Sequence, residues 1–156
     1  MSLTAGANVT LSPGIYYIDG GDFTVHGGAT ISGTGVTMVF TSSSGNDWPG
    51  ATINGSATVN LTAPTSGPTA GIVIFGDRNM TDGTPFRFEG GAGQSLTGAV
   101  YIPKGDLKFA GGVNTGRGCT QLIGSTLTFT GNSDLQINCA SAGTKQLGPP
   151  TAVLVE

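Results

Sequence analysis

The chain has 156 residues, 28 of them glycine, and 9 acidic against 6 basic side chains give a net charge of −3. Only 10% of residues are charged, against roughly 25% in an ordinary soluble domain, while 37% are apolar, too many for a disordered glycine-rich chain. The six basic residues, Arg78, Arg87, Lys104, Lys108, Arg117 and Lys145, are scattered; without a basic stripe no nucleic-acid partner is expected.

The length suits one domain, 1–156, with its own core. No apolar run approaches the length of a membrane span, so no membrane contact by this domain itself is expected. Met1-Ser2-Leu3 reads as a short remnant joined to an excised domain, with any targeting signal or anchor lying elsewhere.

A phrase recurs from the first residues onward. Aligning the apolar residue before each glycine-rich turn gives Leu3 (LTAGANV), Val25 (VHGGATI), Ile53 (INGSATV), Phe88 (FEGGAGQ), Phe109 (FAGGVNT) and Phe129 (FTGNSDL). Their separations are 22, 28, 35, 21 and 20. A second apolar residue follows six positions later at Val9, Ile31, Val59 and Leu135. Between phrases lies a longer apolar run: GIYYI at 14–18, GVTMVF at 35–40, GIVIF at 71–75, GAVYI at 98–102 and CTQLI at 119–123. Two or three short strands per repeat of about twenty residues follow, with turns made from Gly, Asn and Ser.

Alternation in TINGSATVNL puts Ile53, Val59 and Leu61 inward and Thr52, Thr58 and Asn60 outward. The apolar runs read as strands buried against core and neighbouring rows, with Tyr16, Tyr17 and Tyr101 as packing residues. No Asn-Gly hairpin joins two alternating runs, which argues against a sandwich or jelly roll. One repeat cannot bury its apolar face alone, but stacked repeats share a core. The expected fold is all-β: a right-handed parallel β-helix (solenoid) of about six to seven short coils with protruding loops, its hand taken from the right-handed crossover rule.

The longer separations predict loops expelled from the coil at 41–50, 63–69 and 76–85, whose Pro and Gly are unsuited to a central ladder. Residues 140–156 change character and read as a C-terminal tail or cap. Cys119 and Cys139 are 20 residues apart, one repeat, which predicts the same point on successive coils and a disulfide. A bond closing that loop stabilises by roughly 3 kcal/mol and implies an oxidising compartment. Two Cys and the distant His26 lack metal-ligand spacing, so no metal or other cofactor is expected.

Parallel β-helices include polysaccharide-degrading enzymes, whose signature is a pair of carboxylates about 5–10 Å apart on one substrate. Asp77-Arg78 with Asp82 and Arg87 is the one local mix of acids and base. Yet Asp19-Gly20, Gly21-Asp22, Gly76-Asp77, Asp82-Gly83 and Gly105-Asp106 all place Asp in turns, where the side chain caps backbone N–H groups. The same reading covers the DGGD at 19–22, and His26 reads as an exposed turn residue. No catalytic residue is expected. Trp48 reads as a loop anchor packed on the coil, or as a binding residue if exposed. The candidate binding loops carry Trp48, Asp77, Arg78 and Asp82.

LSPGIYYIDGG, TISGTGVTMVFT, ATVNLTAPTSGPTAGIVIFGDRN, LTGAVYIPKGDLKFAGG and CTQLIGSTLTFTGNSDLQINC together resemble the C-terminal region of TadG-like Tad (Flp) pilus-assembly proteins, over Leu11 to Cys139. That resemblance implies a structural or adhesive role in the cell envelope, periplasmic or extracellular, with anchoring through a segment absent from this chain. Expected partners are proteins of the envelope or pilus machinery, or surface carbohydrate. LSPGIYYI with ATISGTGVTMVF is also similar to the opening of secreted ice-binding β-solenoids. Those carry a long helix along the solenoid, which no stretch here supplies, while TLTFT at 126–130 offers one Thr-x-Thr-x-Thr strand.

Overall fold

The computed structural model describes residues 1–89, 94–111 and 120–131. Within them the chain is all-β, with twelve strands in one curled sheet and no helix. They are β1 (Ser2–Leu3), β2 (Asn8–Leu11), β3 (Gly14–Asp19), β4 (Phe23–Val25), β5 (Thr30–Thr34), β6 (Val36–Thr41), β7 (Ala51–Ile53), β8 (Thr58–Thr62), β9 (Ile72–Gly76), β10 (Thr84–Glu89), β11 (Gln94–Ala110) and β12 (Thr120–Thr130).

Every strand pair is parallel. The chain passes through three ladders in turn and returns one row on. The first joins β1, β4, β7, β10 and the ends of β11 and β12. The second joins β2, β5, β8 and the start of β11. The third joins β3, β6, β9, the middle of β11 and the start of β12. All-parallel pairing excludes the antiparallel sandwich.

The recurring phrase is the register itself. Leu3 pairs with Val25, Val25 with Ile53, Ile53 with Phe88, Phe88 with Phe109 and Phe109 with Phe129. Val9, Ile31 and Val59 likewise form one rung series in the second ladder; Leu135 lies outside the described residues. Each phrase turns the chain from the first ladder into the second. In VHGGA the N–H of Ala29 donates to the carbonyl of His26 while Gly27 and Gly28 take φ of 64° and 72°. Two successive positive-φ residues make a tight corner that matches strand twist, which is why the phrase needs its small pair. Ala5-Gly6 and Gly55-Ser56 repeat the corner in neighbouring rows, and the N–H groups of Gly6 and Gly28 each donate to the next row's corner.

The core runs up the middle of the curl. Phe88, Phe109 and Phe129 stack face to face, with centroids 4.8 and 5.3 Å apart. Lower down, Phe23, Ala51 and Phe86 share a rung series, and the small Ala51 leaves space that Phe40 fills from the third ladder. Phe40 meets Phe23 and Phe86 edge-on, at 6.1 and 5.1 Å. The inward residues Ile53, Val59 and Leu61 are buried and Asn60 is exposed, as alternation requires.

At Gly98 φ is 128°, and a Cβ there would lie 2.6 Å from the Ala63 Cβ and 3.0 Å from the Gly71 carbonyl. Gly98→Ala therefore combines backbone strain with a clash against two packed segments. We expect a loss of about 1–3 kcal/mol in chemical denaturation; an unchanged midpoint would contradict the packing at this bend.

Loops leave the ladders where the repeat separation lengthens. Residues 42–50 and 77–83 both lie at the corner between the third and first ladders, and 63–71 lies between the second and third. Trp48 packs against the core and Met80 is fully buried, so each of the first two loops is pinned by one large side chain.

Candidate functional surface

The corner that carries loops 42–50 and 77–83 also gathers acids. Each is held by a neighbouring segment. The Ser43 N–H donates to Asp19 Oδ1 at 2.7 Å, the Gly50 N–H to Asp22 Oδ1 at 3.0 Å and the Gly21 N–H to Asp47 Oδ2 at 2.9 Å. Asp77 accepts from the Thr41 hydroxyl at 2.8 Å and, as an Asx-turn, from the Asn79 N–H at 2.9 Å. Elsewhere the Thr126 hydroxyl donates to Asp106 at 2.8 Å, Lys104 pairs with Asp82 at 3.4 Å and Lys108 with Glu89 at 2.9 Å. Asp19 and Asp22 in the DGGD turn thus clamp the following loop. Among the described residues no three His, Cys, Asp or Glu side chains gather to hold a metal ion.

The Ser43 backbone N–H, and then its side chain, hold the Asp19 carboxyl below its ordinary value of 3.8, outweighing a small opposing effect of burial. A carboxyl depressed in the folded state contributes stability above its unfolded pKa and loses it as pH falls through the folded pKa. Asp19→Asn should therefore melt lower than the native chain near neutrality. The two melting curves should converge as the pH drops below 3.8. A gap independent of pH would show that the charge on Asp19 does not matter.

The four candidate loop residues engage different neighbours. Trp48 is half-buried against the core, so it is a loop anchor. Asp77 ties its loop to Thr41 in the preceding row, and Asp82 turns to Lys104. Arg78 reaches over the third ladder: its Nε donates to the Tyr101 hydroxyl at 3.0 Å and its guanidinium carbon sits 5.6 Å from that ring's centroid. His26 is exposed at a corner. Cys119 and Cys139 lie outside the described residues, as does the segment 140–156.

Chemistry differs from one outer face to the next. The first ladder faces out with Ser2, Thr24, Thr52, Arg87, Lys108 and Thr128 in one rung series. A shallow depression of about 210 Å³ lies there between Arg87, Lys108, Asp106 and Thr126. The second ladder bears no charge on its outward strand positions. Asn8, Thr30 and Thr58 form one series, Thr10, Ser32, Asn60 and Ser95 another, and Thr34, Thr62 and Thr97 a third. On the third ladder the outward series is Tyr17, Val39, Phe75, Tyr101 and Ile123. Tyr17 is 66% exposed and the others are partly exposed.

That last series corrects the expectation of strands buried throughout. Tyr16 does pack, its hydroxyl donating to the Ser12 carbonyl at 2.9 Å. Tyr17 points out, because adjacent residues on a strand face opposite ways. The signal was present in the sequence as an apolar residue at the same place in each run; an unbroken apolar run does not say which half is covered. Gln94 was also missed. It pairs with Val59, in the rung series of Val9, Ile31 and Val59, and is 2% exposed with neither amide atom hydrogen-bonded.

Set against protein-family models, curated proteins and solved structures, the chain matches none of them.

Proposed function

We propose that the chain is a right-handed parallel β-helix of about six to seven coils that serves as a non-enzymatic structural or adhesive domain outside the cytoplasm, in a pilus-assembly-related envelope protein of the TadG-like kind. Six successive rungs of the first ladder support the coil number, and the crossover rule supports the hand. The observation that carries the functional reading is the use of the acids. All seven described carboxylates hold chain to chain, through backbone N–H groups, hydroxyls or Lys and Arg. Carboxylates so engaged brace a scaffold; a polysaccharide-degrading site would need two of them aimed at one substrate.

The rigid scaffold then presents its loops and faces to protein partners or surface carbohydrate. Deleting loop 42–50 or 77–83 in the full envelope protein should impair surface attachment or pilus assembly; intact assembly in both deletions counts against binding through the loops. Turnover of any acidic polysaccharide that disappears in Asp77→Ala would replace this reading with the enzymatic one.

A second reading, ice binding, is favoured by one observation: the uncharged hydroxyl and amide array on the second ladder. Rows about 4.8 Å apart with outward positions about 6.7 Å apart make it regular in two directions. It is wider than the single TLTFT strand at the other face. Thermal hysteresis that disappears when Thr30 and Thr58 are changed to Lys would establish this reading, and its absence from the native chain would exclude it.

A further inference from the structure

The outer face of the third ladder is apolar in every row, yet nothing in the described residues covers Tyr17. We propose that two copies of the chain pack this face against itself, with their rows stacked in opposite order about a two-fold axis running along the Phe75 row.

The shape of the face selects a protein surface over a sugar. Phe75 and Tyr101 stack on each other, centroids 5.4 Å apart and planes 19° from parallel. Their flat faces are turned to each other along the rows, so ring edges point outward. A sugar needs an open aromatic face; ring edges and Val39 between them form a corrugated apolar strip suited to interlocking side chains.

Size and charge then select a second copy in the antiparallel sense. Opposed about the Phe75 row, Val39 of one copy meets Tyr101 of the other, small against large, and Tyr17 meets Ile123. The edge of the face carries acids in its first and third rows, Asp19 and Asp77, with Thr41 between them pairing with Asp19 and bonding Asp77. In the fourth row it is cationic, with Arg78 lying over Tyr101. No described carboxylate pairs with Arg78. The same two-fold axis brings Arg78 opposite Thr41 of the other copy, between its Asp19 and Asp77. A two-fold axis along the stacking direction would instead set the acidic edge against the far edge of the other copy, at Ile15 and Thr37, and leave Arg78 without an acid. Interfaces of this isologous kind are the commonest closed symmetry.

Five rows and two outward positions span on the order of 300 Å² per copy, well under the roughly 800 Å² per partner of a standard interface. Self-association is accordingly weak, with a dissociation constant of about 10 μM to 1 mM.

Sedimentation velocity over a concentration series up to about 1 mM tests this on the full chain. A monomer–dimer equilibrium is expected, weakened at least tenfold in Tyr17→Asp and in Phe75→Asp, both at outward positions, with unchanged circular dichroism. High salt and Arg78→Glu should weaken it too. Orientation is read by a short bis-maleimide on single-cysteine additions, against the native chain as background. Phe75→Cys should cross-link to its own copy across about 10 Å, whereas Tyr17→Cys, four rows or about 19 Å from its copy, should not. A monomer throughout, as expected if another protein occupies the face, overturns the proposal. So does a dimer indifferent to Tyr17→Asp and Phe75→Asp, or equal cross-linking at both cysteines.

Discussion

Phe40→Ala is expected to lower the unfolding free energy by about 3–5 kcal/mol, the range for truncating a fully buried Phe. Phe40 is 1% exposed and joins Phe23 and Phe86 edge-on at 6.1 and 5.1 Å. It fills the gap above Ala51, in the rung between those two rings. The space it vacates cannot be closed by sliding β6, because that strand is hydrogen-bonded in register to β3 on one side and β9 on the other. Urea unfolding with a lower midpoint and unchanged slope would bear this out. A loss under about 1 kcal/mol would mean that the rows relax into the cavity far more than close packing allows.

Gln94→Met is expected to work in the opposite direction and raise stability by about 1–3 kcal/mol. The cost of Gln94 is the desolvation of an amide whose Nε2 and Oε1 have no partner, worth roughly 1–3 kcal/mol for an unsatisfied buried group. Met has similar length and no branch, fills irregular gaps and leaves no polar atom unpaired. The position supports the direction: the equivalent rungs hold Val9, Ile31 and Val59. A drop in the unfolding midpoint would show that the amide of Gln94 makes a bond that the packing does not reveal.

Much of the fold was legible because a stacked architecture writes its register into the chain. The residue aligned in each phrase, from Leu3 to Phe129, is the residue that pairs across rows. The reason is that identical corners must stack, and an unlike corner would break the hydrogen bonds between Gly28 and Gly55 or Gly6 and Gly27. The loops were legible from the lengthened separations, but their bounds were not: Gly76 ends β9 beside Phe40 and Pro85 lies in β10 beside Asp106, although Pro and Gly had placed both in the loop 76–85. Less legible was the use of each side chain. Asp77 and Arg78 are adjacent in sequence, yet one ties down a loop and the other lies over Tyr101 in the next row. Trp48 read as a loop anchor, or as a binding residue if exposed, and its packing against the core makes it the anchor.

The amino-acid order alone determined strand type, corner positions and which rows stack, since these depend on local backbone conformation and a two-residue alternation repeated at matching intervals. Only the tertiary structure decided what each outer face presents. Successive members of the series Tyr17, Val39, Phe75, Tyr101 and Ile123 are 22 to 36 positions apart in the chain, and become one apolar strip because parallel pairing brings them to successive rungs. The same pairing gathers ten uncharged hydroxyl and amide residues on the second face and buries Gln94 where the rows below hold valine and isoleucine. Covering such a strip is a matter of what lies above it in space, which a run of apolar residues cannot record.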